Sequence, residues 1–262
     1  MNSLILLSIL LSVVLGLARG LDLAFGTDAV TGLCMIGSVW WRYLALGAAV
    51  LAAVLAGYRA GGSSSRALGR RSPAAGLLCF AAAVAYVAAG AAQLMAGASG
   101  ITSVVRAVLQ MLCVIWLSLL GRSWLRPEDG RGPLGNLVLA VAGSLLFYWN
   151  VLMRFMENSS SWHRVTPTAA VWQALAALVF LSALARALYV PDAHNGRQLR
   201  ASGLAAFCLC LCWQLPRTLF LAVELGWVGP AVWAEVFAGA ALCCIGGLGA
   251  VCALSCGTQI AH

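Results

Sequence analysis

The side chains able to do chemistry in this 262-residue chain are few: sixteen arginines, no lysine, eight acids, three histidines and ten cysteines. The sharpest group surrounds Arg217. Gln214 lies three residues before it and Glu224 seven after it, spacings that put all three on nearly one side of a helix. Pro216 removes a backbone donor between them and is expected to bend or loosen the helix there. A guanidinium is a planar, permanently charged fork suited to carboxylates and phosphates. Beside a broken helix it predicts a site for a small anionic ligand. Arg106 and Gln110 (one turn apart), Asn150 and Glu235 are further polar groups carried by long apolar runs. The candidate ligand-binding set is therefore Arg106, Gln110, Asn150, Gln214, Arg217, Glu224 and Glu235. Arg106, Arg217, Glu224 and Glu235 also sum to zero charge. The same residues thus allow a second outcome, two interhelical ion pairs with no ligand.

Other chemistries find less support. With no aspartate inside an apolar run, neither an aspartyl intramembrane protease nor an aspartate-based proton pump is expected; without lysine there is no Schiff base. Phosphate-binding loops, His-Glu-x-x-His, Gly-x-Ser-x-Gly and lipidation endings are missing. The cysteines, dense at Cys208, Cys210, Cys212, Cys243, Cys244, Cys252 and Cys256, have no histidine near them and form no Cys-x-x-Cys, so they read as small buried hydrophobes. No metal site, cofactor or catalytic residue is assigned. Asp22, Asp28, Glu157 and His163 fall in segments read as loops, where a divalent cation is the remaining candidate. Asn158-Ser159-Ser160 matches a glycosylation pattern but has no meaning in the bacterial setting inferred below.

The elements that must carry these residues follow from composition. Charged residues are 9% of the chain and hydrophobic ones 62%, against about 25% charged in soluble domains. That apolar surface exceeds what a soluble fold of this size can bury. The class is all-α, a polytopic transmembrane bundle. Eight spans are predicted, roughly Ser3–Leu17, Tyr43–Leu55, Ala75–Ala96, Thr102–Leu120, Leu134–Met153, Thr168–Leu188, Ala201–Trp227 and Ala231–Ser255. Arg217 then lies roughly 15 Å below Trp227 at the helical rise, a depth at which an arginine must be paired or hydrated. No positive charge precedes Leu4, so the first run reads as an uncleaved helix rather than a signal peptide. The Gly20–Trp41 segment is expected to form an interfacial helix or a re-entrant piece.

Arginine asymmetry sets the expected orientation. Arg59, Arg66, Arg70, Arg71, Arg122, Arg126, Arg131, Arg186, Arg197 and Arg200 fall on one side, and Arg19, Arg42, Arg154 and Arg164 on the other, predicting both termini in the cytoplasm. The Arg66–Arg71 group is expected to meet anionic headgroups. Complete replacement of lysine by arginine suggests a GC-rich bacterial genome, hence a bacterial inner membrane. Ser38-x-Trp40-x-Arg42 recurs as Ser160-x-Trp162-x-Arg164, which would fit two halves, 1–126 and 127–262. Tryptophan and arginine are expected at an interface anyway, so one integral domain, 1–262, is the reading kept. Small residues of the last helix (Gly239, Gly246, Gly247, Gly249) and of Ala81–Ala92 around Gly90 predict close helix packing.

Three functions remain. The leading one is a structural or regulatory membrane component with a membrane-protein partner. The alternative is a transporter-like or receptor-like protein binding a small, anionic ligand or lipid in an outward-facing pocket around Arg217. An intramembrane lipid-modifying enzyme, with Glu224 or Glu235 as acid–base group, comes last because no histidine or paired carboxylate completes it. The positive charge does not imply nucleic acid.

Overall fold

The computed structural model describes residues 3–27, 33–60, 72–97, 100–126, 136–156, 165–190, 195–225 and 228–257. They form eight helices long and apolar enough to cross a membrane: α1 Ser3–Phe25, α2 Val39–Arg59, α3 Pro73–Met95, α4 Ile101–Leu125, α5 Leu137–Met156, α6 Val165–Tyr189, α7 Asn195–Leu225 and α8 Pro230–Gly257. This is a multi-pass membrane protein. Several helices start earlier than their apolar runs because a polar residue caps them. Ser38 accepts from the Trp40 N–H at 3.3 Å. Ser72 accepts from the Ala75 N–H at 3.4 Å, with Pro73 in the first turn.

Helices α3 to α8 close into a ring, each packed on the next, and α3 packs most extensively on α8. Trp116, Phe147, Phe180, Leu117, Leu120, Leu181 and Leu184 fill it and are fully buried. The α1–α2 hairpin lies outside the ring against α7. From Leu199 to Cys210 every residue of α7 is buried, as expected for a helix enclosed on all sides. The exposed faces carry Leu, Val and Ile, the surface a bilayer solvates.

Small residues decide how closely the helices approach. A Cβ on Gly203 of α7 would lie 2.6 Å from the Gly249 carbonyl oxygen of α8, and one on Gly249 would lie 2.5 Å from the Gly203 oxygen. A Cβ on Gly246 would lie 2.6 Å from the Leu211 nitrogen. Small-residue packing expected of the last helix is thus present. The α1 contact went unread: Gly16 and Gly20, spaced as Gly-x-x-x-Gly, seat α1 on Cys212 and Pro216 of α7.

Expectation and structure part in three places. First, α1 continues eight residues past Leu17, to Phe25. Arg19 and Asp22, read as the start of a loop, pair with each other inside the helix, so an aspartate does sit within a span. Second, the segment after α1 is neither an interfacial helix nor re-entrant where it is described. Thr27 bridges Cys34, the Met35 N–H donates to the Gly26 oxygen at 2.9 Å, and Gly37 turns the chain at φ +78°. Residues 28–32, including Asp28, lie outside the described residues. Third, Arg200 is no loop residue. It is fully buried, and its Nε donates to the Gly57 oxygen at 2.8 Å and its Nη2 to the Ala60 oxygen. A cation there satisfies and neutralises the C-terminal end of α2.

Gly203→Leu is expected to lower stability by about 3 kcal/mol, through overpacking against the Gly249 backbone. Gly47→Ala, with open space at its Cβ, should be neutral or gain up to about 1 kcal/mol from helix propensity. Size-exclusion profiles after stepwise heating in detergent check both. Equal behaviour of the two variants would show that this backbone contact does not form.

Candidate functional site

We call the membrane half holding the C-terminal ends of α1 and α7 and the starts of α2 and α8 the distal half. Polar groups converge there for local reasons. In α7 the winding widens to π-helix over Phe207–Trp213, returns to α over Gln214–Phe220, and widens again over Leu221–Leu225. Pro216 is the cause we assign. It offers no N–H to the Cys212 carbonyl, and in a regular α-helix its ring would strike that oxygen. Wider turns relieve the clash while helical bonding continues. Gly16 leaves room for the same oxygen: a Cβ there would lie 2.6 Å from it.

The irregular stretch is strapped by α6. Gln173 Nε2 donates to the Leu209 oxygen at 3.1 Å and to Gln214 Oε1 at 3.0 Å. Gln214 Nε2 then donates to Thr218 Oγ1 at 3.2 Å. Gly239 of α8 faces this ladder; a Cβ there would lie 2.8 Å from Gln214 Nε2. Gln214 is therefore spent within the protein rather than held open for a ligand.

Two ion clusters flank the ladder. In the first, Asp22 of α1 is shared by two arginines. Arg42 of α2 donates through Nε to its oxygens at 2.9 and 3.0 Å and through Nη2 as well, while Arg19 donates through Nη1. Arg42 also reaches the Gly26 and Ile36 carbonyl oxygens at 3.2 and 3.0 Å, holding the hairpin against the helix end. The guanidinium of Arg19 lies over the Trp213 ring, 4.8 Å from its centroid. Arg19 is buried, and its Nε has no hydrogen-bond partner among the described residues. In the second cluster, Arg217 of α7 pairs with Glu235 of α8 through Nη2 and Oε1. Arg217 lies within electrostatic reach of Arg19 and of Arg154 on α5. Among the described residues, three guanidiniums, Arg19, Arg42 and Arg217, meet two carboxylates, Asp22 and Glu235, an excess of one positive charge within this group.

The seven candidates do not form one group. Gln214, Arg217 and Glu235 belong to the distal cluster. Glu224 shares the helix with Arg217 but is exposed, and Arg217 takes Glu235 instead. The wider winding after Phe220 shifts residue 224 away from the regular seven-residue register. Gln110 donates its amide to the Tyr86 backbone oxygen of α3, with Arg106 near the Tyr86 ring; this pair lies between α3 and α4. Asn150 sits half-buried on α5. Sequence reading missed Arg19, Asp22, Arg42 and Thr218 as members. The Arg19-x-x-Asp22 spacing of an ion pair one turn apart was the available signal.

Asp22 is committed to two arginines, so it is not a free ligand for a divalent cation. Glu157, His163, Asn158 and the Arg66–Arg71 group lie outside the described residues. No group of three or more His, Cys, Asp or Glu that could hold a metal occurs among the described residues. All ten cysteines are free thiols and eight are buried.

Asp22→Asn would leave Arg19 and Arg42 facing a neutral amide, and is expected to reduce stability by about 3 kcal/mol, the scale of a broken buried ion pair. Adding Arg42→Gln should recover part of the loss. The thermal midpoint followed by tryptophan fluorescence measures both, and a midpoint unchanged by Asp22→Asn would rule out the shared counter-ion. No protein-family model, curated protein or solved structure matches this chain.

Proposed function

We propose that this multi-pass membrane protein holds a small anionic ligand in the distal cluster, in the manner of a transporter or receptor. One observation carries the reading: Arg19 is buried with an unpartnered Nε among the described residues, in a cluster with one more guanidinium than carboxylate. A buried N–H without an acceptor, on a group that cannot give up its charge, is costly until something anionic or polar meets it. Arg217 supplies a second fork, because Glu235 engages it from a partly exposed position.

The same proposal places the distal half away from the cytoplasm of a bacterial inner membrane, with both termini inside. Removing the buried helix residues Arg200 and Arg19 from the loop count leaves nine arginines on the cytoplasmic side against three on the other, still the bias expected of internal loops.

A structural or regulatory membrane component is the second reading. The Arg217–Glu235 pair favours it, since an internally paired arginine joins α7 to α8 with no ligand. Native mass spectrometry in mild detergent separates the two, comparing wild type with Arg217→Gln and with Arg217→Gln/Glu235→Gln. The expected result is an anionic species on the wild type that is lost from both variants. Bare chain in all three, with folded yield lost on Arg217→Gln and restored in the double variant, would transfer the case to the structural reading.

A further inference from the structure

The tip of the α1–α2 hairpin has an apolar outside and a polar inside. Phe25, Met35, Ile36, Trp40 and Trp41 are between 62% and 73% exposed there. The polar groups turn inwards. The Gly26 carbonyl oxygen accepts from the N–H groups of Met35 and Ile36 at 2.9 and 3.4 Å, and from Arg42 Nη2 at 3.2 Å. Arg42 also donates to the Ile36 oxygen at 3.0 Å and to the Ser38 oxygen at 3.5 Å. Asp22 meets its charge, and only 13% of the Arg42 side chain and 19% of that of Asp22 remain exposed. Among the described residues from Phe25 to Arg42, no other side chain is charged.

In water a turn can leave its carbonyls to the solvent. In lipid it must find donors within the protein, because an unmet carbonyl there costs several kcal/mol. A turn that spends a guanidinium on its own carbonyls, while showing large apolar side chains outwards, fits the second medium.

Those side chains continue the surface that the bilayer solvates. Leu17, Leu21 and Phe25 follow one another by single turns along α1, and Leu44 lies one turn beyond Trp40 and Trp41 on α2; all are exposed. From Arg59 back to Val39, α2 rises roughly 30 Å, the thickness of the hydrocarbon core. With Arg59 at one boundary, the tip stands at the other, the level that tryptophan favours.

We infer that the tip of the α1–α2 hairpin is an interfacial anchor, seated in the lipid of the distal leaflet between headgroups and acyl chains. This holds independently of the anion reading above. The Asp22–Arg42 pair then has two effects: it clasps α1 to α2, and it supplies the turn between them with the partners that water would otherwise provide.

Tryptophan emission from the full chain in phosphatidylcholine vesicles tests this. The wild-type spectrum minus that of Trp40→Phe/Trp41→Phe isolates the tip. That difference is expected to lose most of its intensity when the lipid carries bromine high on its acyl chains. Iodide on both sides of the membrane should quench it several-fold less than it quenches free N-acetyltryptophanamide. Iodide quenching equal to that of the free indole would place the turn in water and overturn the inference. No loss to the brominated lipid would place it against protein, a second copy included, or outside the membrane, and would overturn it equally. Should the double variant not fold, Trp40→Phe and Trp41→Phe singly give difference spectra with the same expected and overturning results.

Discussion

An arginine carried into a bilayer must find acceptors for its N–H groups and its charge, or drag water in with it. Much of how these helices are joined follows from that constraint. Arg200 spans from α7 to the last carbonyls of α2. Arg42 and Arg19 close on Asp22 and so lock α1 to α2, and Arg19 lies on Trp213 of α7. Arg217 reaches across to α8. The α1–α2 hairpin, outside the ring of α3 to α8, is thereby clasped to α7 at both membrane levels. Lysine would serve less well in these places, because its compact ammonium lacks the planar fork with which a guanidinium spans separated carbonyls or binds a carboxylate bidentately.

Helix α7 is where close packing and irregular backbone meet. Its first half is enclosed and its glycine meets a glycine of α8 backbone to backbone; its second half is widened around Pro216 and faces lipid. Hydrogen bonding survives that change because Gln173 caps the Leu209 carbonyl and Gly16 makes room for that of Cys212. A peptide group left unpaired in hydrocarbon costs several kcal/mol. A broken helix is therefore tolerable at this depth only where neighbours supply such partners.

Between the clasps lies a charge imbalance. A scaffold needs only as many carboxylates as guanidiniums, and among the described residues this cluster has one fewer. That difference, with a buried Nε left without a protein acceptor among the described residues, is what supports the proposed ligand site over a set of internal salt bridges.

Class, span number and the small-residue packing of α8 were legible in the residues alone, because apolar length and side-chain volume are local properties. That Arg217 must find a partner was legible too, since a deep arginine beside Pro216 is a local anomaly. Its partner was not. Glu224 and Glu235 are equally good by type, and only the π-widened register of α7 and the placement of α8 decide for Glu235. Asp22 and Arg19 read as loop because polarity ends a hydropathy run, whereas in the fold they cancel each other with help from Arg42, twenty residues on. Arg200 read as a loop charge for the same reason, and its acceptors lie some 140 residues away in the chain. Sequence determines which groups cannot stay alone in lipid. Tertiary structure decides which partner each one meets, because that choice depends on helix register and on contacts that no local spacing encodes.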